Sequence, residues 1–268
     1  MQPHERLRAA IEQAGRNSRP AIVAFVTAGF PQRELFRAQV AAIASVADAV
    51  EIGVPFSDPM ADGLTIQRSS RAALEAGVSL SWILAELESM HAAVPLVIMS
   101  YLNPLLAFGF ARLAAQAAQC GVCGFVVPDM PHEESDPLRK ALDAQGIGLV
   151  QLVTPATPDQ RVAMLCEASS GFVYAVTAAG TTGGTQGLPV DVAAYLDRVR
   201  AASPLPVCAG FGIRSARQVA ALMPHADGIV VGSALIEVID SGGDPAEFLR
   251  GLDPATLRCH GPTESQGA

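Results

Sequence analysis

Three carboxylates lie close together where an apolar run of the sequence ends. In the stretch VEIGVPFSDPMADG, Glu51 stands inside a run typical of a buried strand, and Asp58 and Asp62 follow in a proline-containing turn. The stretch holds no basic residue that could neutralise them. Burying an unpaired carboxylate is costly unless it keeps its proton, so Glu51 is a candidate acid–base group, with a structural carboxylate bound by backbone amides as the alternative. Aspartate is also common in turns, so Asp58 and Asp62 could be either turn-forming residues or site residues.

Two glycine-bearing segments are candidates for binding an anion. AGFGIRS (209–215) and VVGSA (230–234) each follow an apolar run. Glycine lets backbone amides approach a phosphate closely, and a helix opening at Ser233 would add the positive end of its dipole. Glycines that serve only tight turns are the alternative. A third glycine-rich segment, AAGTTGGTQGLP (178–189), is long and polar enough to be a lid.

The remaining residue types narrow the chemistry. The sole lysine, Lys140, lies in a predicted helix, which excludes a Schiff-base lysine at a strand end. The histidines are scattered, and Cys120 and Cys123 follow a helical pattern without a second pair to complete a zinc site, so we expect no metal. Carbon–carbon or proton-transfer chemistry would then run on carboxylates, with a substrate that supplies its own electron sink.

Eight short apolar runs predict the strands that position these residues. They lie at 21–27, 48–54, 95–101, 124–128, 148–154, 171–177, 206–210 and 227–233. Helical patterns fill the gaps, beginning with an apolar stripe formed by Phe36, Val40, Ile43 and Ala44. Two helix starts have the form of a capping box, TPDQ (157–160), with Pro158 as the first helical residue, and SARQ (215–218).

This alternation predicts an α/β fold, a single-domain (β/α)8 TIM barrel over residues 1–258. The amphipathic segment ERLRAAIEQAG adds an N-terminal helix, and residues 259–268 are expected to be a disordered tail. A doubly wound open sheet is the alternative, because periodicity does not show closure. In a barrel the strand ends share one face, so Glu51, the two aspartates and the glycine segments after the seventh and eighth strands would meet at its mouth.

Composition favours a small-molecule ligand. Only 16% of the residues are charged and the net charge is −8, which argues against binding to nucleic acid or to anionic membranes. The start MQPHERLRAA lacks the apolar core of a signal peptide, and no apolar run approaches the roughly 18 residues of a membrane span. We therefore expect a cytoplasmic protein.

The motifs, taken in order, resemble the tryptophan synthase alpha subunit family. They are AFVTAGFP, EIGVPFSDPMADGLTIQ, SYLNPLLAFG, VPDMP, TPATP, GFVY, AGFGIR and ADGIVVGSA, and they run from the first predicted strand to the eighth. The resemblance implies a lyase of tryptophan biosynthesis that cleaves indole-3-glycerol phosphate to indole and glyceraldehyde 3-phosphate by a retro-aldol reaction. Indole is then the built-in electron sink.

The resemblance also implies a role for each matching residue. Glu51 would be the acid and base at indole C3 and at the C3′ hydroxyl, and Asp62 would hold the indole N–H. The indole pocket would be lined by Phe25, Ile66, Met99, Tyr174 and Phe211. The phosphate would be bound by Gly183, Gly212, Gly232 and Ser233, and Thr182 would close the lid onto Asp62.

By the same resemblance the chain would work with a beta subunit, in an α2β2 heterotetramer. Asp58, Asn103 and Pro104 would face that partner, and pyridoxal phosphate would belong to it, so no cofactor is expected here. The sequence departs from the family pattern at Ala178 and Thr181 in the lid, and at Leu64 and His132 where proline is usual. A stand-alone lyase that releases free indole, and a catalytically impaired partner that activates the beta subunit, are the alternative functions.

Overall fold

Eight parallel strands close into a barrel in sequence order, with β1 paired to both β2 and β8. The computed structural model describes residues 1–17, 19–177, 191–210 and 212–259. The strands are β1 Ala21–Thr27, β2 Ala49–Gly53, β3 Leu96–Met99, β4 Val122–Val126, β5 Gly148–Val153, β6 Val173–Val176, β7 Val207–Gly210 and β8 Gly228–Val231. The closure confirms the barrel and excludes the open sheet.

Helices follow the strands and surround the barrel. They are α1 Pro3–Arg16, α2 Phe36–Ala44, α3 Leu64–Glu75, α4 Leu80–Glu88, α5 Leu102–Phe108, α6 Phe110–Gln119, α7 Asp136–Asp143, α8 Asp159–Ala168, α9 Val192–Ala202, α10 Ala216–Leu222, α11 Ser233–Asp240 and α12 Pro245–Arg250. Short 3-10 segments lie at Arg33–Leu35, His132–Glu134 and Pro254–Cys259. The apolar stripe predicted after β1 is buried on α2. No helix among the described residues is both long and apolar enough to cross a membrane.

Strand alternation separates two hydrophobic layers. On β2, Ala49 belongs to the cluster that fills the barrel, whereas Val50 and Ile52 belong to the cluster between the strands and the surrounding helices. Leu7 and Ile11 of α1 are fully buried and join the interior cluster. The predicted N-terminal helix therefore closes the amino-terminal end of the barrel, which leaves the carboxyl-terminal strand ends for a site.

Two local predictions need correction. The fourth strand covers Val122–Val126 rather than 124–128, because Cys123 continues the barrel interior and pairing with β3 already begins at Val122. Pro158 is the N-cap of α8, not its first helical residue. The Thr157 hydroxyl instead accepts a hydrogen bond from the amide of Thr154 over 3.0 Å, which closes a turn ahead of the helix.

The second predicted cap is half confirmed. Ser215 is the N-cap of α10, and its hydroxyl accepts from the amide of Gln218. In a capping box the Gln218 side chain would accept a hydrogen bond from the amide of Ser215. It accepts instead from the amide of Arg214, over 2.8 Å. This shift ties the loop after β7 to the start of α10.

Candidate active site

Glu51 lies inside the barrel on β2. Its neighbours in register are Phe25 on β1 and Val97 on β3. The side chain is 0% exposed, and neither carboxyl oxygen has a hydrogen-bond partner among the residues that the structure describes. Burial, reinforced by the charge of Asp62, raises the pKa of Glu51 to about 8. At neutral pH this carboxyl therefore mostly keeps its proton, and the structural alternative of a carboxylate held by backbone amides finds no support.

Asp62 lies in the loop between β2 and α3. Its Oδ2 accepts a hydrogen bond from the Tyr101 hydroxyl over 3.1 Å, and that hydroxyl accepts from the amide of Ala61 over 2.9 Å. Burial raises the pKa of Asp62 to about 6, and the Tyr101 hydrogen bond opposes this rise. Asp62 is thus mostly ionised at neutral pH.

The two acids differ in protonation although they stand near each other. Glu51 has a pKa of about 8 and Asp62 a pKa of about 6, so near pH 7 the first is a proton donor and the second a negative charge. Carboxyl groups whose surroundings separate their pKa values in this way commonly divide acid and charge-stabilising roles. The pair can therefore protonate a substrate and stabilise the positive charge that results.

Two aromatic rings enter the barrel mouth through gaps left by glycines. A Cβ on Gly53 would lie 2.4 Å from Cζ of Phe25, and a Cβ on Gly210 would lie 2.5 Å from Cε1 of Tyr174. Each ring therefore occupies space that any other residue at these glycines would take. Burial, and then the charges of Glu51 and Asp62, raise the pKa of Tyr174.

The other residues predicted for an apolar pocket lie at the same end of the barrel. Ile66 is buried in the first turn of α3, and Met99 ends β3 and packs against both hydrophobic layers. Together with Phe25 and Tyr174 they come from four different βα units. Phe211 lies outside the described residues.

The predicted anion site lies at the ends of β7 and β8. Gly212 has a φ of +81°, and a Cβ placed on it would meet no atom within 4 Å. The space beside its backbone is therefore open. Its carbonyl accepts from the Gln218 side-chain amide over 3.1 Å. Gly232 is the N-cap of α11 and Ser233 is its first residue, so amides of the first helical turn are available to an anion. Gly183 lies outside the described residues.

Among the described residues no group of three or more His, Cys, Asp or Glu side chains could hold a metal ion. Cys120 and Cys123 are free and buried, and burial raises the pKa of both thiols. Both are small residues of the hydrophobic core.

Comparisons with known proteins agree with this geometry. The sequence profile described as Tryptophan synthase alpha chain matches residues 11–251. A tryptophan synthase alpha chain of Nitratidesulfovibrio vulgaris (strain DP4) is 44% identical over 91% of this chain and 96% of its own length. The chain belongs to the tryptophan synthase alpha chain family. A structure of Mycobacterium tuberculosis tryptophan synthase superposes with a TM-score of 0.84 at 33% identity, over 92% of this chain and 98% of the matched chain.

A second solved structure of the tryptophan synthase alpha chain family shows the same likeness. The tryptophan synthase subunit alpha of Legionella pneumophila str. Paris superposes with a TM-score of 0.83 at 28% identity, over 96% of this chain and 99% of that one. The likeness thus spans the whole barrel, so the acids, the aromatic rings and the glycine loops all fall within the matched fold.

The residues expected at a partner surface of the tryptophan synthase alpha chain lie beside the acids. Asp58 is exposed and accepts a hydrogen bond from the Ser57 hydroxyl, and Asn103 is exposed on α5 next to half-buried Pro104. Tyr101, the N-cap of α5, joins this helix to the Asp62 loop. The sequence did not indicate that large apolar side chains are exposed on the same two segments. They are Met60 at 78%, Leu64 at 70% and Leu106 at 53%.

Several further site residues were missed from the sequence. Tyr101 stacks on Phe56 with ring centroids 5.0 Å apart, which fixes the phenol that contacts Asp62. Asp129, after β4, accepts from the amide of Leu102 over 2.9 Å and so anchors the start of α5. Two sequence signals could have pointed to them: the tyrosine of SYLNP, which follows β3, and the aspartate of VPDMP, which follows β4. The predicted lid (178–189), with Thr182, Ala178 and Thr181, lies outside the described residues.

Proposed function

We propose that Glu51 and Asp62 carry out the alpha reaction, the cleavage of indole-3-glycerol phosphate to indole and glyceraldehyde 3-phosphate. Membership in the tryptophan synthase alpha chain family makes the chain a carbon–carbon lyase of tryptophan biosynthesis. The single observation that carries the assignment of residues is Glu51: a wholly buried carboxyl, without a hydrogen-bond partner among the described residues, with a pKa raised to about 8.

Protonation of the ring begins the proposed mechanism. Glu51 donates its proton to indole C3, and the positive charge that forms spreads to the ring N–H. Asp62, ionised and held by Tyr101, accepts a hydrogen bond from that N–H and stabilises the charge. A buried pair of this kind acts strongly because water does not screen it.

Bond cleavage restores the protonated form of Glu51. The Glu51 carboxylate takes the proton of the C3′ hydroxyl, the C3′–O electrons form the aldehyde, and the C3–C3′ bond breaks with its electron pair entering the ring. Indole is neutral again, and Glu51 ends the cycle protonated as it began. One carboxyl therefore serves both steps, which requires a pKa near the working pH.

The rest of the proposed site holds the two ends of the substrate. Phe25, Ile66, Met99 and Tyr174 form the described part of the indole pocket, with Phe211 proposed to complete it. Amides of Gly212 and Gly232 and the Ser233 hydroxyl bind the phosphate through the open backbone and the start of α11. Gly183 would add an amide and Thr182 would close onto Asp62. This chemistry needs no metal or cofactor.

We further propose a beta subunit as partner, in the cytoplasm. Met60, Leu64 and Leu106 are apolar and exposed on the segments after β2 and β3, which also carry Asp58 and Asn103, and such side chains are suited to burial in an interface. Pyridoxal phosphate would belong to that subunit. A stand-alone lyase stays the alternative, because the lid departs from the family pattern, and retention of both acids speaks against an impaired activating partner.

One assay tests both proposals. Indole release from indole-3-glycerol phosphate is measured for the isolated chain, with and without a cognate beta subunit. Turnover that rises with the beta subunit supports the assembly, and full turnover without it supports the stand-alone lyase. If the parent chain releases no indole under either condition, the assignment of Glu51 and Asp62 is wrong.

A further inference from the structure

The side chains of Arg214, Glu237 and Thr65 join the segments that follow β7, β8 and β2, and we call this cluster the tie. Arg214 donates to Glu237 through both terminal nitrogens, Nη1 to Oε2 over 2.5 Å and Nη2 to Oε1 over 2.9 Å. The Thr65 hydroxyl donates to the same Oε1 over 3.1 Å. The Glu237 carboxylate thus accepts from the loop after β7 and from α3, segments that β8 and β1 separate in the barrel.

Each member of the tie adjoins one wall of the proposed site. Arg214 follows Gly212 by two residues, and Glu237 follows Ser233 by one helical turn, so both lie on the phosphate side. Thr65 is the second residue of α3, three residues after Asp62 and directly before Ile66, on the indole side. The tie therefore joins the two walls without including any residue of the proposed chemistry.

The geometry suits a positioning role rather than a large contribution to stability. The Arg214 and Glu237 side chains are 37% and 39% exposed, and isolated pairs of this exposure contribute little to the free energy of unfolding. The guanidinium meets the carboxylate at two points, which fixes its orientation. Thr65 is buried and α3 packs on α11, so the oxygen that receives both donors has little freedom to move.

We propose that Glu237 is a positioning residue that sets the distance between the phosphate wall and the indole wall. The proposal rests on the function proposed above. A substrate bound at both ends is sensitive to this distance, because a small misplacement of the reacting atoms costs much of the rate. A ligand that binds to only one wall is insensitive to this distance, since each wall stays intact by itself.

Matched variants separate the tie from the walls. Glu237→Gln keeps the shape but places an amide against Arg214, and Thr65→Val removes only the hydroxyl. Thr65→Ser keeps the hydroxyl and should behave as the parent. Glu86→Gln is the control, since Glu86 accepts from Arg37 over 2.5 Å between two helices, α2 and α4, and touches no member of the tie.

Binding is measured for inorganic phosphate, for indole and for a non-cleavable indolylalkyl phosphate. In Glu237→Gln and Thr65→Val we expect the two fragments to bind within about twofold of the parent, while the analogue weakens about three- to tenfold. KM for substrate should rise in the same variants as the Kd of the analogue. Glu86→Gln should change none of these values.

A ligand-free measurement makes the tie testable apart from the reaction. Amide hydrogen exchange at 61–66 and at 212–216 should speed up together in Glu237→Gln, and at neither segment in Glu86→Gln. If the parent releases no indole but both segments respond, the proposed function fails and the tie stands. Phosphate binding that weakens as much as analogue binding overturns the proposal, as does tighter phosphate binding, because Glu237 would then only hold Arg214 away from the anion.

Discussion

The Tyr101 hydroxyl donates a hydrogen bond to Oδ2 of Asp62 over 3.1 Å, and this contact favours the ionised form of the aspartate against the effect of burial. Asp62 and Tyr101 come from different βα units, one after β2 and the other after β3. The protonation state of Asp62 therefore depends on a residue from the neighbouring βα unit.

Tyr101→Phe should raise the pKa of Asp62 above its value of about 6. With that carboxylate less ionised, the acidic limb of the pH profile for kcat/KM should move to higher pH, by about one unit or less. Turnover at pH 6 should fall more than turnover at pH 8. The control is Tyr195→Phe, whose hydroxyl donates to the Val153 carbonyl over 2.8 Å. An acidic limb that stays in place in Tyr101→Phe would show that Tyr101 does not tune Asp62.

Glu51→Gln should keep the fold and lose turnover. The amide matches the carboxyl in shape but cannot move a proton, and general acid–base catalysis contributes about a hundred- to ten-thousand-fold. Because one group serves two steps, the loss should reach the upper part of that range. Indole release and binding of the non-cleavable analogue are measured side by side. Turnover near that of the parent would exclude Glu51 from the chemistry.

The same variant should change the pH dependence of stability. Burial raises the pKa of Glu51 from 4.5 to about 8, so the folded chain binds this proton more tightly than the unfolded chain does. Stability of the parent therefore falls as pH rises from about 4.5 to about 8, and the full cost, on the order of 5 kcal/mol, is present above that window.

Glu51→Gln removes this titration. Its free energy of unfolding relative to the parent should increase between pH 5 and pH 9, as measured by urea denaturation at each pH. Glu86→Gln serves as the control, because Glu86 is paired with Arg37 outside the barrel interior. A difference between Glu51→Gln and the parent that does not change with pH would mean that Glu51 is ionised throughout.

Gly53→Ala should disturb the apolar pocket. Its φ is not in the left-handed region, so alanine fits the backbone, but the new Cβ would lie 2.4 Å from Cζ of Phe25 and displace that ring. Such overpacking costs about 1–3 kcal/mol, and KM for substrate should rise with it. Gly15→Ala, where a Cβ would meet no atom within 4 Å, is the control. Unchanged KM in a folded Gly53→Ala protein would remove Phe25 from the pocket.

Sequence patterns predicted much of the fold. Every strand is a short apolar run, and the apolar stripe predicted for α2 is the face that the structure buries. Glu51 could be recognised in the same way, since a glutamate inside such a run stands out. The shift of β4 could not be foreseen, because Cys123 is as apolar as its neighbours and only pairing with β3 shows where the strand begins.

The missed site residues depend on contacts between distant segments. Tyr101 follows a strand like many core aromatics, and its partner is known only once the ends of β2 and β3 are adjacent. Gly53 looks like a turn residue until the pairing of β1 with β2 places Phe25 above it. Glu237 resembles any exposed charge on a helix, and its two partners come from opposite sides of β8 and β1 in the barrel order.

Gly212→Val should abolish competition by inorganic phosphate. Gly212 has a φ of +81° and open space around its Cβ position, so a branched side chain would strain the backbone and stand where the anion approaches. Strain alone is controlled by Gly242→Val, since Gly242 has a φ of +77°, also meets no atom within 4 Å, and lies after α11. Both variants should lose about 1–2 kcal/mol of stability, but only Gly212→Val should lose phosphate inhibition of indole release. Equal inhibition in the two variants would place the anion away from the loop after β7.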